Sequence, residues 1–184
     1  IKTKFILPKL KNNIILIGPM GSGKTSIGKK LSRMMKFDFI DTDHLIEDKT
    51  GVDISTIFEH EGETGFRKRE NKILESISNI ENTIVGTGGG IILSEKNRLI
   101  IKDMGFIVYL TASIKELVYR TEQDKNRPLI KNGDAEIKII EILKEREKYY
   151  KNTSNIKLST DNYDTVKLSK IIIKNYEKYE KNNC

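Results

Sequence analysis

Gly18-Pro19-Met20-Gly21-Ser22-Gly23-Lys24-Thr25 fits the pattern G-x-x-x-x-G-K-[S/T] at every fixed position. The run before it, Asn13-Ile14-Ile15-Leu16-Ile17, is short, apolar and β-branched, and reads as a buried strand. After it, Ile27, Leu31 and Met34 recur at helical spacing. Strand, glycine loop and helix in that order form a phosphate cradle. The glycines let backbone N–H groups converge on anionic oxygens, and the helix turns its positive end to the same point. Lys24 adds a full charge near the β- and γ-phosphates, and the Thr25 hydroxyl offers a ligand to Mg2+. Gly21, Ser22, Gly23, Lys24, Thr25 and Ser26 are therefore the expected ATP-phosphate site. The plainer alternative is a turn that binds nothing, and the Lys-Thr register argues against it.

The 184 residues suit a single domain over 1–184 with a sizeable core. No apolar run reaches the ~18–20 residues of a membrane span. The lone Cys184 supports no disulfide framework, which points to a reducing, cytoplasmic setting with no membrane partner. The formal charge of +7 is spread thinly along the chain. It suits a positive cleft for phosphorylated and anionic small molecules better than a nucleic-acid footprint.

Strands and helices alternate, which predicts a parallel sheet covered on both faces. Further strands are expected at 36–40, 83–86, 106–110 and near 156–158. Short helices are expected at 44–49 and from 53, interrupted at Gly62 and resumed over 63–79. Ser94 caps a helix through Lys102, and another runs from Ser113 to Thr121. A long helix from Asp134 has Ile137, Ile140, Leu143 and Tyr150 as its apolar face. The final helix spans about 164–181. The polar stretch 122–133 has the length and composition of a lid.

Four constellations lie outside the loop. Asp41 and Asp43 flank Thr42 at the carboxyl end of the second strand, where open parallel sheets gather ligands. One carboxylate can hold the hydration shell of Mg2+ while the other bonds a substrate hydroxyl and accepts its proton. Alone, the pair also reads as a helix cap. Arg67 follows the core residue Phe66 and stands at i, i+3 from Glu70, so an ion pair is possible; a guanidinium held there suits a carboxylate ligand. Gly88, Gly89 and Gly90 end the third strand, as they would where a ligand presses against main chain. Arg127 lies in the expected lid and can neutralise charge on a transferring phosphoryl group, while Arg120 can stack on a base. Spacing leaves Arg146 on an ordinary helix surface flanked by acids. His44 and His60 show no partner pattern for metal or base work.

Over about 12–178 these ordered motifs resemble the shikimate kinase family: the loop 18–25, Asp41-Thr42-Asp43, Thr50-Gly51, Gly62-Glu63, Phe66-Arg67-x-x-Glu70, Gly88-Gly89-Gly90 and Arg127-Pro128-Leu129. The resemblance implies a three-layer α/β/α P-loop kinase fold with a five-stranded parallel sheet, a lid (about 122–133) and a moving substrate-binding segment (about 43–72). It implies ATP-dependent phosphorylation of the 3-hydroxyl of shikimate in aromatic amino-acid biosynthesis, with Mg2+ as cofactor and a monomeric chain. By that similarity Arg67 and Arg146 take the shikimate carboxylate, Gly89 and Asp43 complete the acceptor site, and Asp43 is the candidate base. Asp41 serves Mg2+ through water, Arg127 is the lid arginine and Arg120 lies by the adenine. The chain departs from the family pattern at Ile130, usually Leu, and at Lys148, usually Pro.

Two alternatives remain at this stage. One is a related kinase of gluconate or a nucleoside monophosphate. The other is a non-catalytic nucleotide-binding protein, which would have no need of Asp43, Arg67, Arg127 and Arg146 together. No Asn-Lys-x-Asp segment is present to read guanine, which disfavours a regulatory GTPase.

Overall fold

Side chains alternate across a strand, so a strand that is apolar at every position must be covered on both sides. Ile14–Ile17 (β1) meets that condition and lies at the centre of the sheet. The computed structural model describes residues 11–123, 135–162 and 164–183. It places five parallel strands in the order β2-β3-β1-β4-β5, with β2 at Asp38–Asp41, β3 at Thr83–Gly86, β4 at Phe106–Thr111 and β5 at Ile156–Ser159. Ile14, Leu16, Ile84 and Val108 face one layer, formed by α1 (Lys24–Met35) and α7 (Thr165–Asn183). Ile15, Ile17, Val85 and Tyr109 face the other, formed by α3 (Ile54–Ser76), α4 (Glu95–Met104) and α6 (Ala135–Thr153). A fully buried aliphatic side chain contributes about 1.5–3 kcal/mol, so this two-sided core is a rigid base for the loops at its edge.

The expected strands all form, with ends shifted by one or two residues. The helix expected at 44–49 is longer, α2 at Thr42–Thr50, because Asp41 caps it by accepting from the Asp43 N–H at 3.2 Å. Ser94 and Ser113 cap α4 and α5 (Ile114–Glu122) in the same way. Gly62 breaks α3 with φ 66° and ψ −175°, the interruption expected at that position. A single 3-10 turn at Ile91–Leu93, without a sequence signal of its own, follows the three glycines.

One expected face is right only in part, at Leu143 and Tyr150. Ile137 of α6 is exposed, and the buried line is Ile139, Arg146, Tyr150 and Thr153, with Leu143 packed beneath α5. The helix therefore presents an arginine inward, and Arg146 is not surface. The helix continues through Lys148 without a break. Arg127 and most of the expected lid lie outside the described residues. Among the described residues no helix is long and apolar enough to cross a membrane.

Candidate active site at the carboxyl edge of the sheet

The loop after β1 leaves the sheet at its middle, so whatever follows the flanking strands must border it. A cleft of about 740 Å³ opens there, lined among others by Lys24, Thr25, Asp41, Asp43, Gly89 and Arg120. The loop is pressed close to the sheet: a Cβ on Gly18 would stand 2.0 Å from the Leu110 carbonyl oxygen, and φ there is +145°. Gly23 caps α1 from a left-handed conformation and supplies no side-chain oxygen to its N-terminus, which borders the cleft. Lys24 Nζ donates to the carbonyls of Gly18 and Pro19 at 2.9 and 2.8 Å. Ser22 is buried under the loop, while Thr25 and Ser26 are exposed at the mouth of the helix.

Asp41 and Asp43 divide their work. Asp41 uses one oxygen for its cap and accepts the Thr25 hydroxyl on the other at 2.8 Å. That brings together the two oxygen donors expected to serve Mg2+. Asp43 lies one position into α2 and abuts the glycine turn; a Cβ on Gly88 would be 2.6 Å from its Oδ1 and 2.8 Å from Glu70 Oε1.

Glu70 is the residue that the motifs undersold. Its side chain is 1% exposed and takes Arg67 Nη1 at 2.8 Å, the ion pair foreseen from their spacing. Glu63 holds the other side of the same guanidinium. Burial raises the Glu70 pKa to about 7, against the lowering pull of Arg67, and Asp43 pushes it up further; Arg146 also acts to lower it. Both arginines therefore bear on one buried carboxylate. The Arg67 guanidinium lies flat on Gly90, where a Cβ would be 2.2–2.3 Å from three of its atoms. Arg146 is 6% exposed; its Nε lies 3.5 Å from Glu145, in a geometry that makes no hydrogen bond. Arg146 lies on the buried line of α6 with Ile139 and Tyr150.

On the far side of the loop, Arg120 bridges. It takes Glu116 at 2.7 Å and donates to the Gly21 carbonyl at 3.1 Å and to the Thr160 hydroxyl at 2.9 Å. Thr160 follows β5, so Arg120 ties the phosphate loop to the segment beyond the last strand. Asp161 ties the same segment to the start of α5 by accepting from the Ser113 N–H and hydroxyl, and it also accepts from Ser159. His44 lies at the rim of the cleft with its side chain largely exposed, and His60 is exposed.

A phosphate cradle in this sheet order, with carboxylates and guanidinium groups gathered beside it, defines a P-loop kinase. A family model described as shikimate kinase matches residues 20–177, and the chain belongs to the shikimate kinase family. The shikimate kinase of Nitrosomonas europaea is 48% identical over 147 residues, covering 80% of this chain and 70% of that one. That of Haemophilus influenzae is 42% identical over 152 residues, 82% of this chain and 84% of the other. Among solved structures, the shikimate kinase from Acinetobacter baumannii in complex with shikimate superposes with a TM-score of 0.88 at 37% identity, covering 92% of this chain and 95% of that one.

Proposed function

We propose that the chain transfers the γ-phosphoryl group of ATP to the 3-hydroxyl of shikimate, giving shikimate 3-phosphate and ADP. The observation that carries this is the pair of cationic side chains, Arg67 and Arg146, both acting on buried Glu70 beside Asp43 and the Gly88–Gly90 turn, next to the phosphate loop. Two guanidinium groups suit a carboxylate on the acceptor, and an acid beside them suits its hydroxyl.

In this reading Gly21 to Ser26 and the N-terminus of α1 hold the phosphates, with Lys24 swinging from the loop carbonyls onto the β- and γ-oxygens. Arg120 borders the adenine and Arg127 reaches the transferring group, an assignment that rests on the family motif. Arg67, Arg146 and the glycine turn orient shikimate. Asp43 accepts the proton of the 3-hydroxyl as its oxygen bonds to phosphorus and the bond to the ADP oxygen breaks. Positioning and charge neutralisation supply most of the rate. Thr25 and Asp41 are the residues that would hold Mg2+; two oxygen donors suit a hard cation that takes its remaining ligands from phosphate and water. When bound, the ion would supply positive charge to offset that of the triphosphate.

The test is ADP release measured with shikimate, gluconate and AMP offered separately as acceptors. Turnover with shikimate, and far less with the other two, is expected. A folded, ATP-binding preparation that turns over gluconate or AMP and ignores shikimate overturns the reading.

A further inference from the structure

Tyr150 sits on α6 one turn beyond Arg146 and is completely buried. Its ring stacks on Tyr109 of β4, with centroids 4.9 Å apart and planes 18° from parallel. A phenylalanine would fill that place equally well, so packing alone does not call for the hydroxyl. The hydroxyl donates to the carbonyl oxygen of Gly89 at 2.5 Å. Gly89 is the middle residue of the turn that carries Gly88 against Asp43 and Gly90 against Arg67. A Cβ built on it would be 3.6 Å from the tyrosine hydroxyl, 3.4 Å from the Gly18 carbonyl oxygen and 3.5 Å from the Met20 nitrogen. Main chain of the acceptor turn is thus wedged between the Tyr150 hydroxyl and the phosphate loop.

We propose that Tyr150 is a positioning residue for phosphoryl transfer, whose hydroxyl fixes the Gly89 carbonyl and so sets the distance between the acceptor turn and the phosphate loop. The inference rests on the assignment of Gly88–Gly90 to the acceptor made above. Three further facts suit the role. Burial raises the hydroxyl's pKa, so it stays a donor across the working pH range. Arg146 on the same helix lies close enough to act on that hydroxyl, so one helix face carries both the acceptor cation and the strut for the turn. The stacked ring gives the hydroxyl a fixed origin in the core of the sheet. Tyr150 touches no reacting atom; it acts through Gly89.

The experiment compares wild type, Tyr150→Phe and the control Tyr109→Phe in steady-state kinetics with both substrates varied. Tyr150→Phe is expected to raise the shikimate KM and lower kcat, each about ten-fold or more, because small misplacements of reacting groups are costly. The ATP KM should stay within about two-fold, and Tyr109→Phe should match wild type in both KM values. Loss of packing alone would lower the active fraction, and so kcat, with both KM values unmoved; that pattern overturns the proposal. So does a Tyr109→Phe enzyme as impaired as Tyr150→Phe. If Tyr150→Phe fails to fold, the wild-type protein decides by NMR: a slowly exchanging Tyr150 hydroxyl proton with a cross-peak to Gly89 supports the strut, and its absence refutes it. Wild type without any shikimate-dependent turnover sinks the functional reading itself, and the proposal with it. An unaffected Tyr150→Phe in an active enzyme sinks the strut alone.

Discussion

Gly90→Ala isolates the acceptor cation without touching it. Gly90 has φ −95° and ψ −3°, a conformation open to alanine, so the substitution brings no backbone strain. The added methyl, however, stands 2.2 Å from Arg67 Nη2, which falls 1.2 Å short of the 3.4 Å where ordinary contact begins. What it meets is the far end of a long side chain rather than backbone, so the fold adapts by loosening the Arg67 bonds to Glu70 and Glu63. A melting temperature lowered by about 2–12 °C is expected, equivalent to roughly 1–3 kcal/mol for a chain of this size. In the proposed reading the end of that side chain is the working group. A guanidinium pushed back by more than 1 Å loses its alignment with the acceptor carboxylate. A hydrogen bond to a charged group contributes about 1.5–3 kcal/mol. At about 1.4 kcal/mol per factor of ten, shikimate affinity should fall about 10- to 150-fold. Calorimetric titration with shikimate, alongside a nucleotide titration, reads both halves of the site. Unchanged shikimate affinity, or an equal loss of nucleotide affinity, would show that Arg67 does not hold the acceptor carboxylate.

Three further outcomes follow from the same geometry. Asp43→Asn should abolish turnover while ATP still binds, and near-normal turnover would remove Asp43 from the mechanism. The Glu70 pKa is raised from 4.5 to about 7 in the fold; the stability linked to its neutral form is full below pH 4.5 and is lost as the pH rises through 7. That amounts to about 3 kcal/mol, from about 1.4 kcal/mol per pKa unit. The unfolding free energy of wild type minus that of Glu70→Gln should therefore fall by about this much from pH 4.5 to 8, and a flat difference would contradict the buried, proton-favouring environment. Asp41→Ala should cost about 1 kcal/mol through the lost cap and also raise the Mg2+ concentration for half-maximal activity; a stability loss with an unaltered Mg2+ requirement would leave Asp41 a cap only.

Much of this edge was legible in the chain. The loop 18–25 and the apolar runs of β1, β3 and β4 pointed to the parallel sheet, because a strand buried on both faces has no polar register to confuse, whereas the edge strands β2 and β5 are only partly buried. The Asp-x-Asp reading kept a cap and a metal role open, and Asp41 does cap while also meeting Thr25. Arg146 was not legible from pattern alone. Tyr150 was placed on the buried face of α6, but counting Ile137 rather than Ile139 into it displaced that face from Arg146, since an isoleucine says nothing about which side it occupies when its neighbours are also isoleucines. Only the motif resemblance recovered it. Glu70 was visible as the ion-pair partner of Arg67, but the tertiary crowding that buries it among Arg67, Asp43 and Gly88 has no local signal. The same holds for Tyr150, whose bond to Gly89 spans residues far apart in sequence.

The central claim is that one edge of the sheet joins a phosphate donor to a carboxylate-bearing alcohol. It is tested most directly by the phosphorus–proton correlation spectrum of the product formed from ATP and shikimate. A single new phosphate monoester correlated to the proton on carbon 3 is the result this account predicts. Phosphate on another oxygen, or ADP and inorganic phosphate with no phosphorylated shikimate, would contradict it.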